Sequence, residues 1–288
     1  MPCTLCGGLR HNRLSCSKDE SLETLFARIS LVATEKKQCR VKKTVKSMKG
    51  KDEEGTCEPS IVQSKKLMTE DTGKVFEKAI CLKYGIEYKG NYKYGDERAL
   101  EIQHLLTSLP EMFPSCSHTA EKGSQHDFTA VDKSKHLSAK TCKRGTGKVA
   151  PQQFGQCSVQ KLWNKMEWED CEIEDRKRMI QENIKLLLPL FERFTFDCDV
   201  IYYHEKRKEV RYIKSLGLID WEKEEFKWTK SWDKWNNSST LKVKRGDKYV
   251  SVLEMQFHKN GRSNMCNRWA FERLLEAFPD NFQITTWK

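Results

Sequence analysis

DFTAVDKSKHLSAKT, residues 127–141, is the stretch whose reading decides the fold. Asp127 opens a short apolar-rich run that ends at Val131, and His136 opens a second that ends at Lys140. The four residues between them, Asp132-Lys-Ser-Lys135, have the composition of a turn. Two runs of this length joined in this way form a hairpin of adjacent strands. Side chains two apart on a strand leave on the same face, so Ser138 and Lys140 share a surface that Asp127 reaches from the neighbouring strand. A carboxylate, a hydroxyl and an amine are thereby gathered in one place.

Outward from the hairpin the chain alternates between two periods. Val75, Phe76, Ala79, Ile80 and Leu82 have helical spacing, with Asp71 and Thr72 able to cap the start and Gly85 placed where a left-handed residue ends a helix. A second helix is expected over 97–108, stopping before Pro110. Downstream, a long helix is expected over 172–188, ended by Pro189, then strands at 199–203, 210–213, 241–244 and 249–257, a helix at 268–278 and a final strand at 282–287. Helices and strands mixed in one unit predict an α/β or α+β domain over 69–288. No internal repeat of fixed period is present.

Residues 1–68 differ in composition. Leu22, Leu25, Phe26, Ile29 and Leu31 mark a helical face, after which 36–51 is basic with no acidic residue and the chain stays poor in core formers to 68. Residues 19–68 thus read as a helix followed by a flexible basic linker. Residues 1–18 hold Cys3, Cys6, His11 and Cys16 in the spacing Cys-x2-Cys-x4-His-x4-Cys, three thiolates and an imidazole suited to a closed tetrahedral Zn2+ site. Such a metal can supply the folding free energy of a segment too short for its own core. The set resembles the zinc knuckle of nucleic-acid-binding proteins, with Arg10 where that family usually has Gly before the His. The resemblance implies contacts to single-stranded nucleic acid through Leu5, Arg10 and Arg13.

Composition limits the partners. A net charge of +11 with 32% charged residues favours an acidic polymer over a neutral small molecule. The longest apolar-rich region, 184–196, is interrupted by Lys185, Glu192 and Arg193, which excludes a membrane span. With no secretory leader in residues 1–16, the 12 cysteines are expected to stay reduced in an intracellular compartment, cytoplasm or nucleus. Segment 143–148 has glycines at 145 and 147 but lacks the hydroxyl and spacing of a phosphate-binding loop, and no His-Glu-x-x-His is present. Trp221, Trp228, Trp232 and Trp235, interleaved with lysines, would suit base stacking. Packing of the rings on a sheet, with lysine stems running outward, is the favoured reading.

Four blocks carry a further resemblance: Gly73-Lys-Val-Phe-Glu77-Lys-Ala-Ile-Cys81; His126-Asp127-Phe; Leu137-Ser-Ala-Lys140-Thr141 with Pro151-Gln-Gln-Phe-Gly-Gln156; and Leu253-Glu-Met-Gln-Phe-His258. Together they resemble type II restriction endonucleases of the PD-(D/E)XK nuclease superfamily. The resemblance implies a mixed central sheet flanked by helices and Mg2+-dependent cleavage of double-stranded DNA by a homodimer. It makes Asp127 a Mg2+ ligand beside the carbonyl of Ala139, Lys140 the catalytic lysine, and Glu77 an acid projected from the first core helix. Ser138 departs from the pattern, since an acid usually stands there, and Glu77 or Glu254 would have to replace it. Asp247, Glu254 and Gln256 form a rival set in which Gln replaces Lys. Gln152, Gln153, Gln156, His258, Arg262 and Arg268 are expected to contact DNA. Two other functions stay open: a non-catalytic zinc-knuckle nucleic-acid-binding protein with a decayed nuclease core, supported by Ser138, and a structure-selective repair nuclease or resolvase. A zinc knuckle on such a core points to a eukaryotic or viral source.

Overall fold

The computed structural model describes residues 24, 69–120, 124, 126–143, 147–152, 154–157, 163, 166, 168, 171–257 and 265–288. The expected knuckle and, apart from Thr24, the helix and linker before 69 lie outside the described residues, as do Gln153, His258 and Arg262.

Helix α1, Thr69–Tyr84, buries Val75, Phe76, Ala79 and Ile80, the stripe that its sequence spacing predicts. Gly85 ends it at φ +63°: its N–H bonds Leu82 O at 3.2 Å, and the Ile86 N–H bonds Cys81 O at 3.0 Å. The helix expected over 97–108 is shorter, α2 (Glu97–Gln103), and a separate short helix, α3 (Leu109–Met112), follows it. The expected stop before Pro110 holds, and Pro110 lies in the first turn of α3, where its missing N–H has no helical partner to lose.

Strands β1 (Cys116–His118), β2 (Phe128–Ala130) and β3 (His136–Cys142) form an antiparallel meander. The hairpin has the expected register, Phe128 opposite Leu137 and Thr129 opposite His136. Its turn is built by Asp132 Oδ1, which accepts from the Ser134 N–H and hydroxyl, and by Lys133 at φ 58°. Strand β6 (Asp199–His204) then lies parallel to β3, pairing Val200 with Ser138 and Tyr202 with Lys140. A parallel pair needs a crossover. It runs through β4 (Lys148–Val149), β5 (Gln156–Cys157), α4 (Ile173–Glu182) and α5 (Ile184–Phe196). Strands β7 (Glu209–Ser215) and β12 (Phe282–Trp287) complete the first sheet in the order β1-β2-β3-β6-β7-β12.

The helix expected over 172–188 divides at Asn183, and its second half runs through Pro189 to Phe196. Proline inside a helix costs about 3 kcal/mol, but Leu187, Leu188, Leu190 and Phe191 around it are all buried, and that burial overrides the local preference. Arg268 was expected in a helix. It lies on β11 (Met265–Ala270), paired with β10 (Lys248–Phe257), and α6 (Phe271–Ala277) begins only afterwards. With β8 (Phe226–Trp228) and β9 (Ser238–Arg245) these strands form a second sheet, order β4-β11-β10-β9-β8, with β5 also on β11.

The first sheet separates two cores. Phe128, Leu137, Ile201 and Tyr203 pack with α1, α2 and α3 on one face. Val200 and Tyr202, from alternate positions of β6, pack on the other with α5, α6 and the second sheet. Trp221 and Trp235 are buried, and Trp221 stacks on Trp269 with ring centroids 6.1 Å apart, which bears out the packing role of this segment; Trp232 alone of the four is 39% exposed. No helix among the described residues is long and apolar enough to cross a membrane.

Candidate active site

Asp127 sits just before β2 begins, beside the point where β3 runs on without it. Past Leu137 the edge of β3 has no partner from β2, so the Ala139 N–H donates instead to Asp127 Oδ2 at 2.7 Å. The N–H and C=O of one residue leave a strand on the same edge, which directs the Ala139 carbonyl toward the same side. The Ser138 hydroxyl donates to the same Oδ2 at 3.1 Å, and Lys140 Nζ lies 3.9 Å from it. Gln152 Nε2 donates to Ser138 Oγ. The Gln152 N–H is itself fixed to Phe194 O of α5 at 2.9 Å. Asp127, Ser138 and Lys140 therefore converge on the α5 side of the first sheet, Ser138 fully buried and the other two side chains about one-fifth exposed.

A second group adjoins the first. His126 Nε2 lies 2.9 Å from Asp197 Oδ2, and its ring stacks on His136 with centroids 4.2 Å apart. A carboxylate only accepts, so the proton is on Nε2 of His126. Ligand atoms of His126, Asp197 and Cys198 lie within 4.8 Å of one another. Burial pushes the Cys198 thiol well above its ordinary range; Asp197, Asp127 and Asp199 push it the same way, against Lys140. Burial and the neighbouring His126 lower the pKa of His136, with Asp197 opposing.

Sequence reasoning overlooked Asp197. It precedes β6, and only the parallel pairing of β6 with β3, across a crossover of more than fifty residues, brings it here. No local signal marks it, since the sequence pattern ends the expected helix at Pro189 and places the next strand from 199.

The remaining expected site residues are placed apart from this cluster. Glu77 lies on α1, where its Oε2 is 3.3 Å from His118 Nε2 and accepts from the Tyr88 hydroxyl at 3.5 Å. His118 touches Phe128 on the α1 face of the sheet, opposite to Asp127 and Lys140. Glu254 lies in the second sheet, bound to Lys148 at 2.8 Å and to Arg268 at 3.2 Å, and Arg268 also donates to Gln256 Oε1 at 2.7 Å. Asp247 sits in the turn between β9 and β10, roughly 20 Å along the strand from Glu254. The structure thus does not bring the rival set together. Gln156 pairs with Cys266 at the edge of the second sheet.

The chain is similar to a type II restriction enzyme. It is 39% identical over 222 residues to the type II restriction enzyme CviAII of Paramecium bursaria Chlorella virus 1, a match that covers 76% of this chain and 63% of that enzyme. The chain accordingly matches just under two thirds of its relative's length. No protein-family model and no solved structure matches it.

Proposed function

We propose that the chain is a Mg2+-dependent, sequence-specific endonuclease that hydrolyses double-stranded DNA on a PD-(D/E)XK core. The observation that carries this is the convergence of Asp127, the Ala139 main chain and Lys140 at one strand edge. The αβββαβ order of α1, β1–β3, α5 and β6, and the similarity to a restriction enzyme, support it.

The donors fit the ion. Among the described residues Asp127 Oδ1 carries no protein partner, and with the Ala139 carbonyl it offers hard oxygens of the kind Mg2+ prefers. Asp197 supplies the second carboxylate in place of Ser138, fixed in direction by His126. When bound there, Mg2+ would supply Lewis acidity toward a phosphate and a water of lowered pKa. Lys140 would hold the attacking oxygen and offset the charge that grows on the phosphorus oxygens. Imidazole and thiol beside Asp197 are softer donors, and His126 acts as an orienting group in this arrangement.

Cleavage of long, varied double-stranded DNA with Mg2+ tests the proposal. Discrete fragments from the native chain, lost in Asp127→Asn and strongly reduced in Asp197→Asn but kept in Glu77→Gln and Glu254→Gln, are expected. Intact DNA under all conditions, with retention of single strands, would leave a binding protein on a silent nuclease fold, as the buried Ser138 would then favour. Fragmentation at junctions or flaps without sequence preference would make it a structure-selective nuclease. Cys3, Cys6, His11 and Cys16 are proposed to hold Zn2+, read by metal analysis, and two copies to act on a symmetric site, read by sedimentation.

A further inference from the structure

Ser138 occupies the place of an expected carboxylate and is wholly buried, yet both sides of its hydroxyl are engaged. A hydroxyl has a single hydrogen to give. The Asp127 carboxylate only accepts, so that hydrogen goes to Oδ2. Whatever meets Ser138 Oγ from the other side must then donate, and the Gln152 amide does so through Nε2. Gln152 is in turn anchored by its main chain to α5. The relay thus runs in one direction, Gln152 to Ser138 to Asp127. Together with the Ala139 N–H it commits Oδ2 to the protein and turns Oδ1 outward.

We propose that Gln152 is a positioning residue that acts through Ser138 to aim the metal-binding oxygen of Asp127, in place of the DNA contact that its sequence context suggested. A glutamine reading a base needs its amide at the DNA surface. Here the nitrogen is spent on a buried serine, and Oε1 is also shielded from solvent. The inference rests on the reading of Asp127 as a metal ligand. It also accounts for Ser at 138: the residue has become part of the support for one carboxylate, while Asp197 supplies the other.

The test uses the full chain and Mn2+ as the probe, its binding followed by electron paramagnetic resonance. Gln152→Ala, Ser138→Ala, the double variant and Asp127→Asn are compared. Hydrogen bonds to charged groups are the strong ones, so each single variant should weaken Mn2+ binding by roughly tenfold or more. The double variant should be no worse than Ser138→Ala, because Gln152 acts only through Ser138. Gln152→Glu, close in shape but an acceptor in the donor's place, should be at least as weak as Gln152→Ala and guards against a merely structural loss. DNA affinity in Ca2+ should stay within about twofold of native. Unchanged Mn2+ binding in Gln152→Ala, additive losses in the double variant, or a selective loss of DNA affinity would overturn the proposal. If the native chain binds Mn2+ in an Asp127-dependent way but cuts no DNA, the nuclease reading falls while the Mn2+ series still decides the relay. If it binds none, both fall.

Discussion

Replacing Lys140 by Met separates the two tasks at the strand edge. The ammonium lies 3.9 Å from Asp127 Oδ2. Two unit charges at that distance interact by about 4 kcal/mol at an effective dielectric of ~20. A phosphorane carrying one added negative charge at similar range would lose a comparable stabilisation. With both side chains about one-fifth exposed, solvent screening trims this toward 3–4 kcal/mol, close to the loss on removing one oxyanion donor. Cleavage should therefore fall by about 10²–10³-fold, since 1.36 kcal/mol is tenfold in rate. Metal binding should respond in the opposite sense: Lys140 competes with a cation for Asp127, so Lys140→Met should bind Mn2+ as tightly as the native chain or more tightly. The assay pairs single-turnover cleavage under saturating Mg2+ with Mn2+ titration. Loss of Mn2+ affinity in step with loss of rate would refute the reasoning, because Lys140 would then be shaping the site and not stabilising charge. An undiminished rate would remove Lys140 from the chemistry altogether.

Three further outcomes concern the frame that holds the site. Glu192 is fully buried and accepts from Ile219 N–H at 2.9 Å and Trp221 Nε1–H at 2.6 Å; Glu192→Ala would strand both donors, and urea unfolding followed by tryptophan fluorescence should show a loss of about 3–5 kcal/mol. Gly147 has φ +53°, and a Cβ there would run into the Tyr202 hydroxyl; Gly147→Ala should cost about 2–3 kcal/mol, read as a fall in Tm, and a loss under ~0.5 kcal/mol would contradict the positive φ. His136 has its pKa lowered from the ordinary 6.5 by burial and His126, so the unfolded chain takes up its proton first as pH falls. Its contribution is complete above pH 6.5 and declines below it, and a pH series of unfolding midpoints should show that slope reduced in His136→Asn.

The site hairpin was legible because its information is local: the alternation of Phe128 and Ala130, the turn at Asp132 and the i, i+2 relation of Ser138 and Lys140 all lie within fifteen residues. The end of α1 at Gly85 was legible for the same reason, since a left-handed residue after an apolar stripe is a nearest-neighbour signal. Proline misled the reading at one place, Pro189. Pro189 is carried inside a helix, because burial of leucines and phenylalanines around it outweighs a local cost of about 3 kcal/mol. The strand at Met265–Ala270 was read as helix, since its pairing with β10 is decided across the sheet and not along the chain.

By itself, then, the sequence determined the mix of helices and strands and the local trio of Asp127, Ser138 and Lys140, because strand alternation alone places those side chains. Only the tertiary structure decided which acids come near them. Glu77 and Glu254 looked as suitable as any by type, but one lies across the sheet and the other in a second sheet bound to Lys148 and Arg268. Asp197 reaches His126, the neighbour of Asp127, because β6 lies parallel to β3, and a parallel pair returns the chain to the same end of the sheet through a long crossover whose course no short pattern records.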